Sequence, residues 1–268
     1  MKYIKSILLA FIVISGLNAL ACTNFLVTRG ASVDGSNFIT YAADSHIRYG
    51  ELYFTPAADW GPGSMRTIYD RSTNAVRGYV PQPAHTYQVV GYINENQVAM
   101  GETTFGGREE LIDKNGLIDY GSLMFMALER SKSAREAIKV IADLVDEYGY
   151  GSDGESFSIS DKDEVWYMEI IGKGEDGGAV WVAIRIPDGY ISGHANAARI
   201  QTFPLRDGKK SITDKDWKNF INMRLKLFTS TISSLLRRKR AILMAKTKIS
   251  TSAQLMLLSI SLLPASAI

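Results

Sequence analysis

Ala19-Leu20-Ala21-Cys22-Thr23-Asn24-Phe25-Leu26-Val27 runs from the end of an apolar leader, through the only cysteine, into a short apolar strand. Upstream, Lys2 and Lys5 form a charged end and residues 7–17 an apolar run, which closes on the small residues Ala19 and Ala21. That is the A-x-A arrangement after which signal peptidase cuts. The apolar run is too short to span a bilayer, which takes ~20 residues, so the expectation is a cleaved signal peptide over residues 1–21. Cleavage after Ala21 leaves Cys22 with a thiol and a free α-amino group on one residue. A free cysteine, with a pKa of about 8.5, is mostly thiol at neutral pH. An α-amine, with a pKa near ~7.7–8.0, can take its proton. This puts nucleophile and base on a single residue.

Two other readings of Cys22 stand beside catalysis. Lipidation would consume both thiol and amine and tether the chain to a membrane, but its signal wants a large aliphatic residue three places earlier, where Ala19 stands. A free buried cysteine is the bland alternative, although a lone cysteine in an exported chain is unusual.

Downstream the pattern is β. Residues 25–28 read as a strand, Val33-Asp34-Gly35-Ser36 carries the Asp-Gly hairpin signal, and residues 37–41 run back as its partner. A nucleophile at the first strand's start and Asp44 at its partner's end are thereby placed close together. Residues 51–54 read as a third strand, and 61–74, polar with Gly and Pro at its start, as loop. Residues 87–93 and 97–103 read as a second hairpin about Asn94-Glu95-Asn96. Its exit, Gly101-Glu102-Thr103-Thr104-Phe105-Gly106-Gly107, is either a pocket lining or, more simply, an ordinary turn.

Residues 120–131 and 134–147 have apolar positions at helical spacing, with Ser133 and Glu136 forming a capping box for the second. Strands resume at 156–160, 164–171 and 179–186. Strands, two helices and strands again give an α+β class, and two sheets with helices packed outside, a four-layer sandwich, satisfy the order. Periodicity supports the class without fixing the number of layers.

Composition narrows the function. A hydrophobic content of 46% and a net charge of +2 fit a soluble globular chain and give no argument for nucleic acid. One cysteine permits no internal disulfide, and His46, His85 and His194 lack paired ligand spacing, so no metal is expected.

The run CTNFLVTRGASVDGSNFITYAADSH resembles the mature start of the dipeptidase A-type peptidases, N-terminal-nucleophile cysteine hydrolases related to penicillin V acylase and bile-salt hydrolase. GETTFGG, VWYMEIIG and GHANAARI resemble later motifs in the family's order, so the likeness covers roughly residues 22–205. It implies an αββα sandwich, no cofactor, and hydrolysis of short peptides through an acyl-enzyme. Position by position, it implies that Cys22 is the nucleophile, that Asp44 orients the amine of the enzyme or substrate, and that Asn196 donates to the oxyanion. Thr103 is a candidate pocket residue. Many relatives carry an arginine just before the Asp44 region, where this chain reads Tyr41-Ala42-Ala43. That departure leaves recognition of the substrate's charged ends open. His46 and His194 read as structural. Expected partners are short peptides, with no nucleic acid and no transmembrane span, and a homo-oligomer is compatible. The expected location is periplasmic or extracellular. The alternatives are an amide acylase of the penicillin V acylase or bile-salt hydrolase type, or a non-catalytic lipoprotein.

The hydrolase domain is expected over 22–222, with an atypical tail over 223–268. There the hairpin-and-helix pattern stops and Arg237-Arg238-Lys239-Arg240 leads into a Ser/Leu-rich run. A basic amphipathic helix or weak membrane-binding end would explain it. Reading permitted codons for residues 238–261 in another frame instead gives KEGYFNGKDKDFDFSAAYAPLDF, which resembles the family's continuation after IQTFPL. The expectation is a frameshifted or truncated member, incomplete at its C-terminus, whose activity is open.

Overall fold

The computed structural model describes residues 22–44, 52–70, 73–204, 208–215 and 263–264. The expectations for the leader, for His46, and for the tail apart from its last strand lie outside those residues. The chain starts with β1 (Thr23–Val27) and β2 (Phe38–Ile39), then β3 (Phe54–Thr55), β4 (Ala58–Asp59), β5 (Met65–Tyr69) and β6 (Val76–Pro81). It continues through β7 (His85–Thr86), β8 (Val89–Val90), β9 (Ile93–Asn94) and β10 (Ala99–Gly106) to helices α1 (Tyr120–Arg130) and α2 (Ala134–Tyr148). After these come β11 (Gly154–Ser160), β12 (Val165–Gly172), β13 (Ala179–Arg185), β14 (Tyr190–Ala195), β15 (Ser211–Thr213) and β16 (Leu263–Pro264).

An eight-stranded sheet has the order β15-β13-β12-β11-β10-β9-β8-β3, and a four-stranded sheet the order β16-β14-β1-β2. This is an α+β architecture. Strand alternation explains how the layers stack. On β11, Phe157 and Ile159 join the helix-facing core with Leu123, Ile138 and Ile141. Ser158, between them, points the other way and bonds Asn24 and His194 of the four-stranded sheet. Both faces of the eight-stranded sheet are therefore covered, one by helices and one by the second sheet. On the outer face of the four-stranded sheet Phe25 and Phe38 stay 47% and 44% exposed. No helix among the described residues covers that face.

Both helices begin where the sequence marks them. Ser133 accepts from the Glu136 amide, and Glu136 reaches back to the amide of Lys132 at 2.7 Å, one residue beyond the usual capping box. Asp119 caps α1, accepting from Gly121 and Ser122 at 2.9 and 3.1 Å. Asp119→Ala is expected to cost about 1 kcal/mol of stability, read as a lower urea midpoint.

Two local readings are corrected. Within 61–74, read as loop, β5 pairs with β6 as a two-stranded ribbon. Ile68 is buried while Met65 and Tyr69 face outward, so the polar positions lie on the solvent side of a strand. The Gly101–Gly107 run is neither turn nor exit loop, because β10 continues through it to Gly106, paired with β11. Gly101 is needed there: a Cβ would lie 3.0 Å from both Tyr41 Cβ and Asn24 Nδ2, where they cross the strand.

Candidate active site

Cys22 immediately precedes β1, whose first residue is held on both sides. Thr23 pairs with Ala195 of β14, and exchanges backbone hydrogen bonds with Ala42 at 3.0 and 3.1 Å. This geometry brings together three positions 22 and 152 residues apart in sequence, Cys22, Asp44 and Asn196. The Asp44 backbone N–H and the Asn196 side-chain amide lie near enough to the thiol to act on its pKa. Burial pushes the thiol pKa up. Those two donors pull it back, and the carboxylates of Glu102 and Asp44 add to the rise. Such a thiol needs a base before it can attack.

Asn196 Nδ2 also donates to the Thr104 carbonyl at 2.5 Å. An amide nitrogen carries two hydrogens, so one N–H anchors the side chain while the other faces the thiol. Asp44 is exposed beside it.

Behind the cysteine lies a buried acid pair that the sequence reading missed. Glu102, 4% exposed, and Glu155, 0% exposed, stand on neighbouring strands with their side chains hydrogen-bonded to each other. Tyr41 Oη donates to Glu102 Oε1 at 2.6 Å and Thr104 Oγ1 to Glu155 Oε2 at 2.9 Å. The two oxygens left over, Glu102 Oε2 and Glu155 Oε1, have no partner beyond this pair. Two carboxylates in such contact hold one proton between them. Burial, then the bond to and charge of Glu102, raise Glu155 far above the ordinary carboxylate range.

Stability follows from that shift. The unfolded chain releases the Glu155 proton above pH ~4.3, while the folded chain keeps it. Folding thus binds a proton in that window, and stability falls as pH rises through it into the alkaline range. Glu155→Gln keeps the shape and offers an N–H to Glu102. Its Tm is expected to exceed the wild-type value by more at about pH 9 than at about pH 6, measured by calorimetry.

His194 lies between the sheets, 2% exposed, and burial pushes it down to about 3, so the ring is neutral. Ser158 Oγ and Thr103 Oγ1 lie 2.7 Å from Nε2 and Nδ1 respectively. With the Asn24 amide turned to donate to Thr23 O, its oxygen accepts from Ser158 and from the Glu102 N–H, at 3.3 and 3.2 Å. Ser158 has then used its only hydrogen, so His194 Nε2–H donates to it and Nδ1 accepts from Thr103. Thr103 shares that hydrogen with the Ala195 carbonyl at 3.0 Å. Thr103 is wholly buried, and its hydroxyl holds the strand end that carries Asn196.

The sequence motifs thus bring Cys22, Asp44 and Asn196 to one point, with Thr103 behind them. Glu102, Glu155 and His194 belong to the same cluster. The available signal for the acids was a charged residue inside a strand whose neighbours on the same face, Met100 for one and Phe157 for the other, are apolar. Among the described residues, no three His, Cys, Asp or Glu side chains are arranged to hold a metal, and no helix is long and apolar enough to cross a membrane.

Comparison with known proteins gives the cluster its setting. The chain is 28% identical over 222 residues to "Probable dipeptidase" of Latilactobacillus sakei, covering 75% of this chain and 45% of the relative. It is 25% identical over 214 residues to "Probable dipeptidase B" of Streptococcus pyogenes serotype M1, covering 73% and 41%. With "Probable dipeptidase A" of Streptococcus pyogenes serotype M3 (strain SSI-1) it shares 27% over 221 residues, covering 76% and 46%. The chain therefore spans under half the length of these curated relatives. The model of peptidase family C69 matches residues 61–235, a stretch that includes Thr103 and Asn196 and begins after Cys22 and Asp44. On that match, over more than half its length, the chain belongs to peptidase family C69.

Proposed function

We propose that the chain is an exported cysteine dipeptidase, acting through an acyl-enzyme on Cys22 after residues 1–21 are removed. The observation that carries this is the meeting of Cys22, Asp44 and Asn196: a thiol just before a strand, with a backbone N–H and an anchored amide beside it. The family and the names of the relatives support peptide hydrolysis.

In the first step the Cys22 α-amine takes the thiol proton and the thiolate attacks the peptide carbonyl carbon. The carbonyl oxygen gains the negative charge and accepts from the Asn196 N–H that faces the thiol and from backbone N–H groups. As the C–N bond breaks, the ammonium returns the proton to the leaving amine. A water then gives a proton to the α-amine and its oxygen to the acyl carbon, and the thiolate leaves and recovers that proton. Asp44, exposed beside the thiol, is placed to pair with an ammonium group, that of Cys22 or of the substrate. Thr103 acts from behind, by holding the Ala195 carbonyl.

The helix, sheet and sheet layers are consistent with an N-terminal-nucleophile sandwich whose fourth layer would cover Phe25 and Phe38. The tail beyond about residue 222 is read as out of frame; resequencing the locus and finding an unbroken frame to Ile268 would overturn this.

The test is a substrate panel on exported protein. Release of free amino acids from unblocked dipeptides, with N-acylated dipeptides and aryl-acetamides left intact, supports the dipeptidase. Turnover of the amides alone identifies an acylase, and a lipidated Cys22 without turnover identifies a tethered non-enzyme.

A further inference from the structure

Past β14 the chain leaves the sheet, and Asn196 sits on the irregular segment that follows. Backbone amides there have no strand partner, so each needs another acceptor. Glu169, on β12, supplies it. Its Oε1 accepts from the backbone N–H of Arg199 and, at 3.0 Å, from that of Ile200. The same oxygen accepts from Tyr167 Oη at 2.7 Å. Three donors thus converge on one carboxylate oxygen. The other end of the segment is fixed by Thr103 at the Ala195 carbonyl, 3.0 Å away. Between these two points Asn196 is pinned by its own bond to Thr104 O at 2.5 Å.

We propose that Glu169 is a positioning residue for Asn196, and through it for the thiol of Cys22. The assignment rests on the reading of Asn196 as oxyanion donor. Without the Glu169 tether, the Arg199 and Ile200 backbone amides lose this acceptor, the hold on the C-terminal side of Asn196 loosens, and its N–H drifts from the position where the oxyanion forms. A displacement of about 1 Å at a reacting centre costs on the order of 10²-fold in rate.

What matters is an acceptor oxygen at one place, because all three bonds end on Oε1. Glu169→Gln keeps a carbonyl oxygen there and is expected to retain kcat within about threefold. Glu169→Leu removes it and is expected to lower kcat about 10- to 100-fold with KM nearly unchanged, the pattern of a lost transition-state interaction. Should Glu169→Leu fail to fold by circular dichroism, Glu169→Asp, one methylene short of both amides, carries the same expectation.

The experiment measures kcat, KM and the pH profile of iodoacetamide alkylation at Cys22 for the full chain. It covers wild type, Glu169→Leu, Glu169→Gln, Asn196→Ala and the Glu169→Leu/Asn196→Ala double variant. The expected result is a double variant no slower than Asn196→Ala, with the alkylation midpoint raised in Glu169→Leu as in Asn196→Ala, since the Asn196 amide lowers the thiol pKa. A folded Glu169→Leu with wild-type kcat and midpoint overturns the inference, as do fully additive losses in the double variant. Alkylation needs no peptide substrate. If wild type turns over no dipeptide while Glu169→Leu still shifts the midpoint, the dipeptidase reading fails and the positioning stands.

Discussion

Cys22→Ala is expected to lower dipeptide turnover by about 10⁶-fold, to the residue of binding and oxyanion stabilisation that a hydrolase keeps without its nucleophile. The reason is structural as well as chemical. The thiol sits where the start of β1, the end of the β2 segment and the loop after β14 meet, and within the described residues it is the only cysteine. Among the described residues, neither neighbouring hydroxyl is free to replace it: Ser158 is wholly buried and bonded to His194, and the Thr103 hydroxyl is committed to His194 and Ala195. Cys22→Ser separates nucleophilicity from volume. A hydroxyl has nearly the same shape but a far higher pKa than a thiol, so at a site arranged for a thiol the α-amine draws its proton away much less readily. Its turnover is expected to lie near that of Cys22→Ala. Cys22 is only half-buried, so both variants are expected to melt close to wild type. Initial rates on a dipeptide, with calorimetry as the folding control, check both statements.

Asn196→Ala is the second large effect. One oxyanion donor is worth about 10²–10³ in kcat, or about 2.7–4 kcal/mol of transition-state stabilisation. Because the donor meets a charge present only during reaction, KM should stay within about threefold. The thiol pKa should rise as well, since the Asn196 amide is one of the two groups that lower it. A raised KM with kcat intact would make Asn196 a substrate-binding residue.

The elements legible in the sequence were those with local causes. Asp34-Gly35 marks the turn between β1 and β2, and those strands pair from Leu26–Ile39 to Val27–Phe38. Ser133 marks the start of α2 through a bond that reaches only three residues. The site followed from that hairpin for Cys22 and Asp44, while Asn196 came from motif resemblance alone. It lies just past the end of a distant strand, β14, and the Thr23–Ala195 pairing brings it near.

What escaped has a non-local cause. Ser156, Ser158 and Ser160 alternate with Glu155, Phe157 and Ile159, which in a surface sheet would read as polar-out and apolar-in. Here both faces are covered, so the serines meet the second sheet and Glu155 is enclosed beside Glu102. The enclosure depends on where β10 lies, and no window around Glu155 contains that information. Glu169 is hidden for the same reason: its partners are backbone amides 30 and 31 residues away. The ribbon β5–β6 was missed because its outward face carries Thr67 and Tyr69 among polar neighbours, leaving Ile68 and Val80 as a thin apolar signal.

Cys22, as the first residue of the mature chain, is expected to carry the acyl group. The measurement is tandem mass spectrometry of exported protein, mixed with a slowly deacylating aminoacyl ester and quenched in acid. The expected result is a peptide that begins at Cys22, has a free α-amine, and bears one aminoacyl group on Sγ. An aminoacyl group on another residue, or turnover by a chain still extended before Cys22, would contradict it.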